Sequence, residues 1–444
     1  MVPSMAQGQF VAPLDEPHPV ANPLFDDATF SVNNYFFQRN RSRYDVGAGR
    51  MRTNLRHTTL QTGIEINSGY FEDHIGFDFA AFATKDLSNK GAADHEISFF
   101  PWSDPWQPDW SKADAEAGYS VYRAHVKLKS GPWWGKAGYL QPSGPGVLGV
   151  NWSIFPGTYQ GVETGGRLGA MDVAAAYVTQ YKAPWYKETY HFRKSDKETR
   201  VDYLWSLGGK YYFSDTHSLE LAYGESQDYL KNAHLKYSYG RNFSAGRVLN
   251  MTYHLYAMRD SDGGNSANNL FDGTAYQHYL NLDYTHALWN AQAAWTYSRA
   301  PQRREQQAGY FAYRLIGTYG GAKGAYEPWW DNRSDWNHNR EHAVFFRLIR
   351  RLDDFAALNG WQVGGSVVHG WGGEAYGVTQ KLSERAYSVD LAYMRREGAL
   401  KGTVVSIHYT HYNNRTNLPS WQGFKNAFQD ERDIKFMISI PFNG

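Results

Sequence analysis

The chain has 444 residues, a net charge of +1 and no cysteine. The balanced charge argues against nucleic acid as the main partner, and the absence of thiols fits a protein exported to an oxidising compartment. No run of about 18 or more apolar residues occurs, which excludes a transmembrane helix. Aromatic residues nevertheless make up 16% of the chain, an enrichment typical of transmembrane β-barrels, whose Tyr and Trp side chains gather at both membrane interfaces.

Residues 1–25 are predicted to lie outside the folded domain, as a tail or a small plug. The run 12–19 is rich in proline, which does not pair within a sheet. The first ten residues lack the basic and apolar regions of a signal peptide, so we expect that any leader has already been removed. Residues 26–444 are predicted to form one domain of repeated hairpins.

Windows of about ten residues that alternate between apolar and polar positions recur along this domain. In the clearest, 122–129, Tyr122 begins the apolar row, and Arg123, Lys127 and Lys129 lie in the opposite row. A soluble sandwich would bury the apolar row, whereas a barrel turns it to lipid and turns the cations to the lumen. The windows are 29–38, 58–69, 74–84, 119–129, 133–140, 159–166, 171–181, 199–211, 217–225, 232–240, 248–258, 274–285, 289–299, 342–351, 361–371, 385–395, 402–412 and 431–442.

The windows number about eighteen, and the gaps between them alternate between long and short. An even strand number with short turns at one end and long loops at the other indicates a transmembrane antiparallel β-barrel with periplasmic turns and extracellular loops. The last window alternates apolar residues up to Phe442. We expect it to close the barrel against the first strand, so that no sheet edge remains.

The long gap 141–158 is apolar and aromatic, unlike a solvated surface loop. We expect it to be buried, either folded into the lumen, where Trp152, Phe155 and Tyr159 would contact solute, or packed against the wall as filler. Other long gaps, near 100–110, 183–186, 327–336 and 419–421, carry Trp beside Pro, Asp or Asn. Rings stack on the C–H faces of sugars and short polar side chains bind hydroxyls, so these gaps favour a carbohydrate path, with interfacial anchoring as the alternative.

The polar rows place cations in the predicted lumen. Arg123, Lys127 and Lys129 have acidic counterparts that include Glu65 and Asp78, and opposed charges would set up a field across a narrow channel. No catalytic motif is present, and the 16 His are scattered. We therefore expect no enzyme, no cofactor and no metal site, although an outer-membrane hydrolase and an adhesin stay open as alternatives. No strand shows a widened apolar face, so we expect a monomer.

Several loop segments resemble the OprD-type substrate-specific outer-membrane porins. The segments are 155–161, 181–185, 201–204, 329–335, 428–433 and 435–437. The resemblance runs from about residue 28 to Phe442, nearly the whole chain. Within the family, the likeness is greatest to the members specific for chitooligosaccharides.

The resemblance implies an 18-stranded barrel with inward-folded loops and a basic ladder on the lumen wall. It further implies facilitated diffusion of chitooligosaccharides, which are oligomers of N-acetylglucosamine, across the Gram-negative outer membrane, where the barrel contacts lipids and lipopolysaccharide. A porin of the same fold selective for basic amino acids or carboxylates is the alternative. The substrate-binding residues implied are Trp152, Phe155, Tyr159, Trp329, Trp330, Asp331, Asn332, Arg333, Asp335, Arg123, Lys127 and Lys129.

Overall fold

The computed structural model describes residues 23–443 except 93–96, 103, 110–111, 113–114, 245, 262–266, 318–323 and 417–423. Nearly all of its regular structure is β. The strands are β1 (Thr29–Asp45), β2 (Arg50–Asn67), β3 (Ile75–Gly91), β4 (Gly118–Ser130), β5 (Trp133–Leu140), β6 (Thr158–Leu168), β7 (Met171–Lys182), β8 (Tyr190–Arg193), β9 (Arg200–Val201), β10 (Leu204–Ser214), β11 (His217–Ser226), β12 (Leu230–Phe243), β13 (Arg247–Asp260), β14 (Thr274–His286), β15 (Trp289–Arg299), β16 (His342–Arg351), β17 (Trp361–Gly373), β18 (Leu382–Met394), β19 (Val404–Asn414) and β20 (Glu431–Asn443). A short α-helix, Pro23–Asp26, and a 3₁₀ turn, Ala356–Leu358, complete it.

The strands form one closed antiparallel barrel. Each pairs with its neighbour in chain order, except that β8 and β9 form a short hairpin within a loop and β7 pairs directly with β10. Eighteen strands therefore build the wall, and each coincides with one predicted window. The prediction for the last window is also confirmed, because β20 pairs with β1 from Asn443↔Ser31 to Glu431↔Arg43. Among the described residues, no helix is both long and apolar enough to cross a membrane.

Alternate side chains divide between the two faces of the wall. On β4, Val126 and Leu128 are about half exposed on the outside, while His125 is buried on the inside. This arrangement suits an outer surface in lipid and an inner surface that is polar. Tyr122 is the exception, and its predicted place in the outward row is wrong. A bulge opposite Ala80 and Ala81 shifts the register, so the Tyr122 ring turns inward, where it is buried.

The long segments lie at one end of the barrel and the tight turns lie mainly at the other. Strict alternation of gap lengths is nevertheless wrong at three places on the loop end. Strands β1 and β2 extend to Asp45 and Arg50, which leaves only 46–49 between them. The gap 227–229 is also short, and 374–381 is no longer than the turn-end gaps 352–360 and 395–403 on either side of it. Beyond the membrane both faces of a strand meet water, so the alternation on which the prediction relied disappears.

The N-terminal segment is described only from Pro23. The Leu24 carbonyl accepts a hydrogen bond of 3.0 Å from the N–H of Gly69, which ties the short helix to the β2–β3 turn. Residues 1–22 lie outside the described residues, and the division of the chain at residue 25 stays a prediction.

Candidate functional site

The segment 141–157, the constriction loop, is tied into the barrel near its start. Glu163 on β6 accepts hydrogen bonds from the N–H groups of Ser143 and Gly144 at 2.9 and 2.8 Å. Farther along, the Val147 N–H donates to the Ser206 hydroxyl on β10 at 2.8 Å. The loop therefore enters the lumen rather than extending away from the barrel.

The end of the constriction loop packs against the opposite flank. The Phe155 ring stacks on Phe82 of β3 with centroids 4.7 Å apart, and it lies 5.5 Å from both Tyr122 of β4 and Tyr35 of β1. A Cβ on Gly63 would lie 2.3 Å from the Phe155 ring, so glycine is what gives the ring room. Because one loop contacts β10 and β1, it crosses the lumen, as the inward-folded interpretation predicts.

A second segment, 300–341, the late loop, also enters the barrel through its described residues. Asp331 forms a buried ion pair with Lys435 on β20, and its other carboxylate oxygen lies 3.1 Å from His408 Nε2 on β19. The Asn332 side chain accepts a hydrogen bond from Ser388 and donates one to Ser366 at 3.4 Å. These two residues are buried, and their polar atoms hold the loop to four adjacent wall strands, β17 to β20.

Arg333 and Asp335 also hold the late loop in place. Arg333 forms an ion pair with Glu431 and lies 4.3 Å above the Phe428 ring. The Asp335 carboxylate accepts hydrogen bonds from Tyr313 at 3.2 Å and from Asn426 at 2.9 Å. These residues therefore connect the late loop to β20 and to the segment that precedes β20.

The late loop is held in a strained conformation. Asp331, Arg333, Trp336 and Arg340 have positive φ angles of 54°, 78°, 52° and 60°. Non-glycine residues in this region cost on the order of 1 kcal/mol or more each, and they persist only where the surroundings fix them. The buried ties described above supply that constraint, so the backbone shape of the loop is specified by the wall.

The two loops meet inside the barrel. The Ala325 N–H donates to the Val147 carbonyl at 2.8 Å, and Arg314 donates to the Asn151 amide oxygen at 3.0 Å. The rings of Tyr313 and Tyr326 stack within the late loop, with centroids 4.2 Å apart and almost parallel planes. Burial raises the pKa of both hydroxyls above the usual range, so the rings stay neutral. The two loops are therefore in direct contact inside the barrel.

Two residues of the predicted basic ladder, Arg123 and Lys127, lie side by side on the inner wall, but their partners differ from expectation. Arg123 pairs with Glu65 at 2.5 Å and Lys127 pairs with Asp78 at 2.7 Å. These acids lie on β2 and β3, beside the cations, so the expectation of opposed charges across the lumen is wrong for these pairs. The short distances along one stretch of wall favour local ion pairs over a transverse field.

Lys129 lies at the turn end of the wall. It pairs at 2.7 Å with Asp73 in the β2–β3 turn, and its side chain is 43% exposed. The hydrogen bond from Lys129 lowers the pKa of the Asp73 carboxyl, since it favours the charged form. This pair lies at the turn end of the barrel, away from both inner loops.

The predicted aromatic residues divide into accessible and packed groups. Trp152 is 52% exposed, whereas Phe155 and Tyr159 are 5% and 0% exposed. Trp330 is buried in a parallel stack on Phe345 of β16 at 5.0 Å, and Trp329 is partly exposed. Of the rest of the predicted set, the Lys129 side chain is 43% exposed, and the residues of intermediate exposure are Trp329, Arg123, Lys127, Arg333 and Asp335. Of the other loop tryptophans, Trp102, Trp106 and Trp185 are buried, and Trp110 and 419–421 lie outside the described residues.

One group of inner residues was missed by the sequence analysis. Arg39, Arg41 and Arg43 alternate on β1 beyond the predicted window and face inward. Arg39 donates to Asp433 at 3.0 Å, and Arg43 pairs with Glu431, so the row fastens the first strand to the last. Their spacing of two residues was the available signal, but the polar residues between them hid it.

Comparison with known proteins now adds to this geometry. A profile of the family described as outer membrane porin, OprD family, matches residues 24–443. The chain belongs to the OprD family of outer membrane porins. It is also 38% identical over 446 aligned residues, which cover 96% of this chain and 94% of the relative, to a protein of Escherichia coli (strain K12) named chitoporin. An OprD porin of this kind is a channel in the outer membrane of Gram-negative bacteria.

Solved structures of other porins share the fold. Acinetobacter baumannii OccAB1 superposes with a TM-score of 0.75 at 15% identity, covering 95% of this chain and 97% of its own. Pseudomonas aeruginosa OpdK, solved with vanillate, gives a TM-score of 0.74 at 15% identity and coverages of 95% and 100%. At 15% identity these superpositions show only a shared fold. That fold is the closed barrel described above.

Proposed function

We propose that this OprD-family porin carries chitooligosaccharides across the outer membrane by facilitated diffusion. The observation that carries the proposal is the 38% identity, over 96% of the chain, to a protein named chitoporin. The constriction loop supports it, because an aromatic segment crosses the lumen and leaves the Trp152 ring accessible. An oligosaccharide presents the apolar C–H faces that such a ring stacks against.

The accessible and buried residues have different roles in this proposal. Trp152 and Trp329 provide stacking surfaces, and Arg123 with Glu65 offers a charged pair that exchanges water for sugar hydroxyls. The buried rings do not contact the sugar in this proposal, but hold the loops in position; they are Phe155, Tyr159 and Trp330. Several shallow sites in series let a chain advance without being trapped, and the concentration gradient drives transport.

The remaining expectations belong to the same proposal. The apolar residues exposed on the outer face, among them Leu60, Val126, Leu207, Leu282 and Phe346, belong to strands spread around the barrel and supply a surface for lipid and lipopolysaccharide. An apolar surface distributed in this way suits a monomer. We expect a channel that releases its sugar unchanged, with no hydrolysis.

Liposome swelling tests the proposal. Proteoliposomes should swell faster in chitotriose than in maltotriose, and mass spectrometry should recover intact chitotriose. Equal rates for the two sugars would reject selectivity for N-acetylglucosamine oligomers. Faster swelling in arginine or benzoate than in either sugar would instead support the alternative channel for basic amino acids or carboxylates. Cleaved sugar would identify a hydrolase, and binding without swelling would identify an adhesin.

A further inference from the structure

Three side chains that commonly bind metals meet at the loop end of the barrel. His338 and Glu341 end the late loop, and Glu384 lies near the start of β18. One potential ligand atom from each lies within 4.8 Å of the others. All three are almost completely buried, at 1%, 0% and 0% exposure. Forty-three positions separate Glu341 from Glu384 along the chain, which explains why no sequence motif indicated this cluster.

Within the part of the chain that the structure describes, no lysine or arginine lies within ion-pair distance of the two carboxylates. Among the described residues, the ring of His338 is the one basic group within ion-pair distance of Glu341 or Glu384. Glu384 accepts hydrogen bonds from Ser334 at 2.7 Å and from the Tyr412 hydroxyl. Two ionised carboxylates here would carry a charge of about −2 that those neutral donors do not offset, and such a charge is expensive to bury without a counter-charge.

The orientation of His338 is that of a metal ligand. Its Nε2 lies 2.9 Å from the Lys425 carbonyl oxygen, which can only accept, so Nε2 carries a proton. Its Nδ1 lies 3.0 Å from Glu341 Oε2, which is also an acceptor. An imidazole whose outer N–H is fixed by a carbonyl and whose other nitrogen faces carboxylates is typical of metal sites. Without a metal ion, a proton must lie between Nδ1 and Glu341 Oε2, on one atom or the other.

Glu341 also has a buried carboxylate oxygen that lacks a hydrogen-bond donor in the described part of the chain. Oε2 accepts a hydrogen bond from the His338 backbone N–H and lies 3.0 Å from the ring Nδ1, but Oε1, which is buried, has no hydrogen-bond donor among the described residues. Gly370 lies beside it, and a Cβ there would be 2.4 Å from Oε1. A buried carboxylate oxygen without a donor is costly, and a bound cation would satisfy it.

We propose that His338, Glu341 and Glu384 bind one divalent transition-metal ion. Nitrogen and carboxylate donors in this ratio suit Zn²⁺, which takes imidazole and carboxylate ligands and carries the two charges that the carboxylates need. The ion joins the end of the late loop to β18. Through the His338 ring it also holds the segment that contains Lys425. The ion would therefore connect the late loop, β18 and the segment before β20.

The direct test is metal content after refolding. The full chain is refolded into detergent in chelator-treated buffer containing ZnCl₂, desalted, and measured by plasma mass spectrometry. Wild type should retain about one Zn²⁺ per chain, and Glu341→Gln should lower Zn²⁺ affinity by about tenfold or more. Gly370→Ala should have a similar effect while keeping all three ligands. Folding of every variant is verified by its mobility on unboiled gels.

The matched control is Glu374→Gln. Glu374 lies close to the cluster in sequence but pairs with Arg340 at 3.3 Å and Lys381 at 3.2 Å. This variant should bind Zn²⁺ as wild type does. Co²⁺ substitution supplies a second readout, since nitrogen and oxygen ligation gives visible absorption bands. Wild type without bound Zn²⁺, or equal Zn²⁺ in folded wild type and Glu341→Gln, would overturn the proposal and leave a cluster neutralised by protons alone.

Discussion

Asp331 in the late loop forms a buried ion pair with Lys435 on the last strand, and both side chains are 7% exposed. The pair joins the late loop, which lies inside the barrel, to β20, the strand that closes the barrel. Because the same strand pairs with β1, loop placement and barrel closure depend on one element. The conformation of the lumen is therefore coupled to the formation of the wall.

Asp331→Asn should loosen the late loop while the barrel stays folded. The variant removes one counter-charge of the buried Lys435, and breaking a buried ion pair costs about 3 kcal/mol or more. The positive φ at Asp331 is then less well supported. We expect faster hydrogen exchange over residues 326–336 and larger fluctuations of the open-channel current. Wild-type exchange and a quiet current would show that the ion pair does not position the loop.

Trp152→Ala should shorten blockades by chitohexaose. An exposed ring that stacks on a sugar contributes about 1 kcal/mol, so we expect dwell times about threefold to tenfold shorter, measured by single-channel recording. Trp371→Ala is the matched control, because Trp371 is 39% exposed on the outer face of β17. If both variants shorten dwell times equally, the effect comes from general destabilisation rather than from loss of a stacking surface.

Gly149→Val should separate the two inner loops. A Cβ at Gly149 would lie 2.6 Å from the Gly324 carbonyl oxygen, so the backbones must move apart. We expect a higher open-channel conductance and rarer sugar blockades. Gly47→Val serves as the control, because its Cβ would meet only Asp45 at 3.4 Å in the β1–β2 loop. A conductance unchanged from wild type would mean that the loop junction does not limit ion flow.

The Arg123–Glu65 pair should contribute to ion selectivity. Arg123→Gln removes a positive charge from the lumen and should shift the reversal potential in a KCl gradient toward cation preference, while Glu65→Gln should shift it the other way. The double variant should lie near wild type, because the two charges compensate. Lys129→Gln should change little, since that side chain pairs with Asp73 at the turn end. Equal shifts at 123 and 129 would contradict this placement.

The wall could be predicted from the sequence because it depends on local alternation. Every window from 29–38 to 431–442 lies on a strand, since lipid on one side and water on the other impose a period of two. The prediction failed where that contrast ends. At Tyr122 a bulge reverses the face, and at Arg39–Asp45 both faces are polar, so the strand continues past the visible pattern.

The site could be predicted only in part, because loops are specified by distant contacts. The composition of 141–158 indicated a buried loop, and the structure brings it across the lumen. The composition did not reveal that Trp152 is exposed, or that Tyr159 is buried against the Tyr181 ring. Nor could local patterns show that Asp331 and Asn332 are used in holding the loop to the wall.

Single-channel recording with chitohexaose, maltohexaose and arginine added in turn tests the central claim most directly. The channel should show discrete, concentration-dependent blockades with chitohexaose, and much shorter or rarer ones with maltohexaose. The preference should weaken in Trp152→Ala and persist in Trp371→Ala. Blockades by arginine with none by chitohexaose would contradict the assignment of chitooligosaccharides as the substrate.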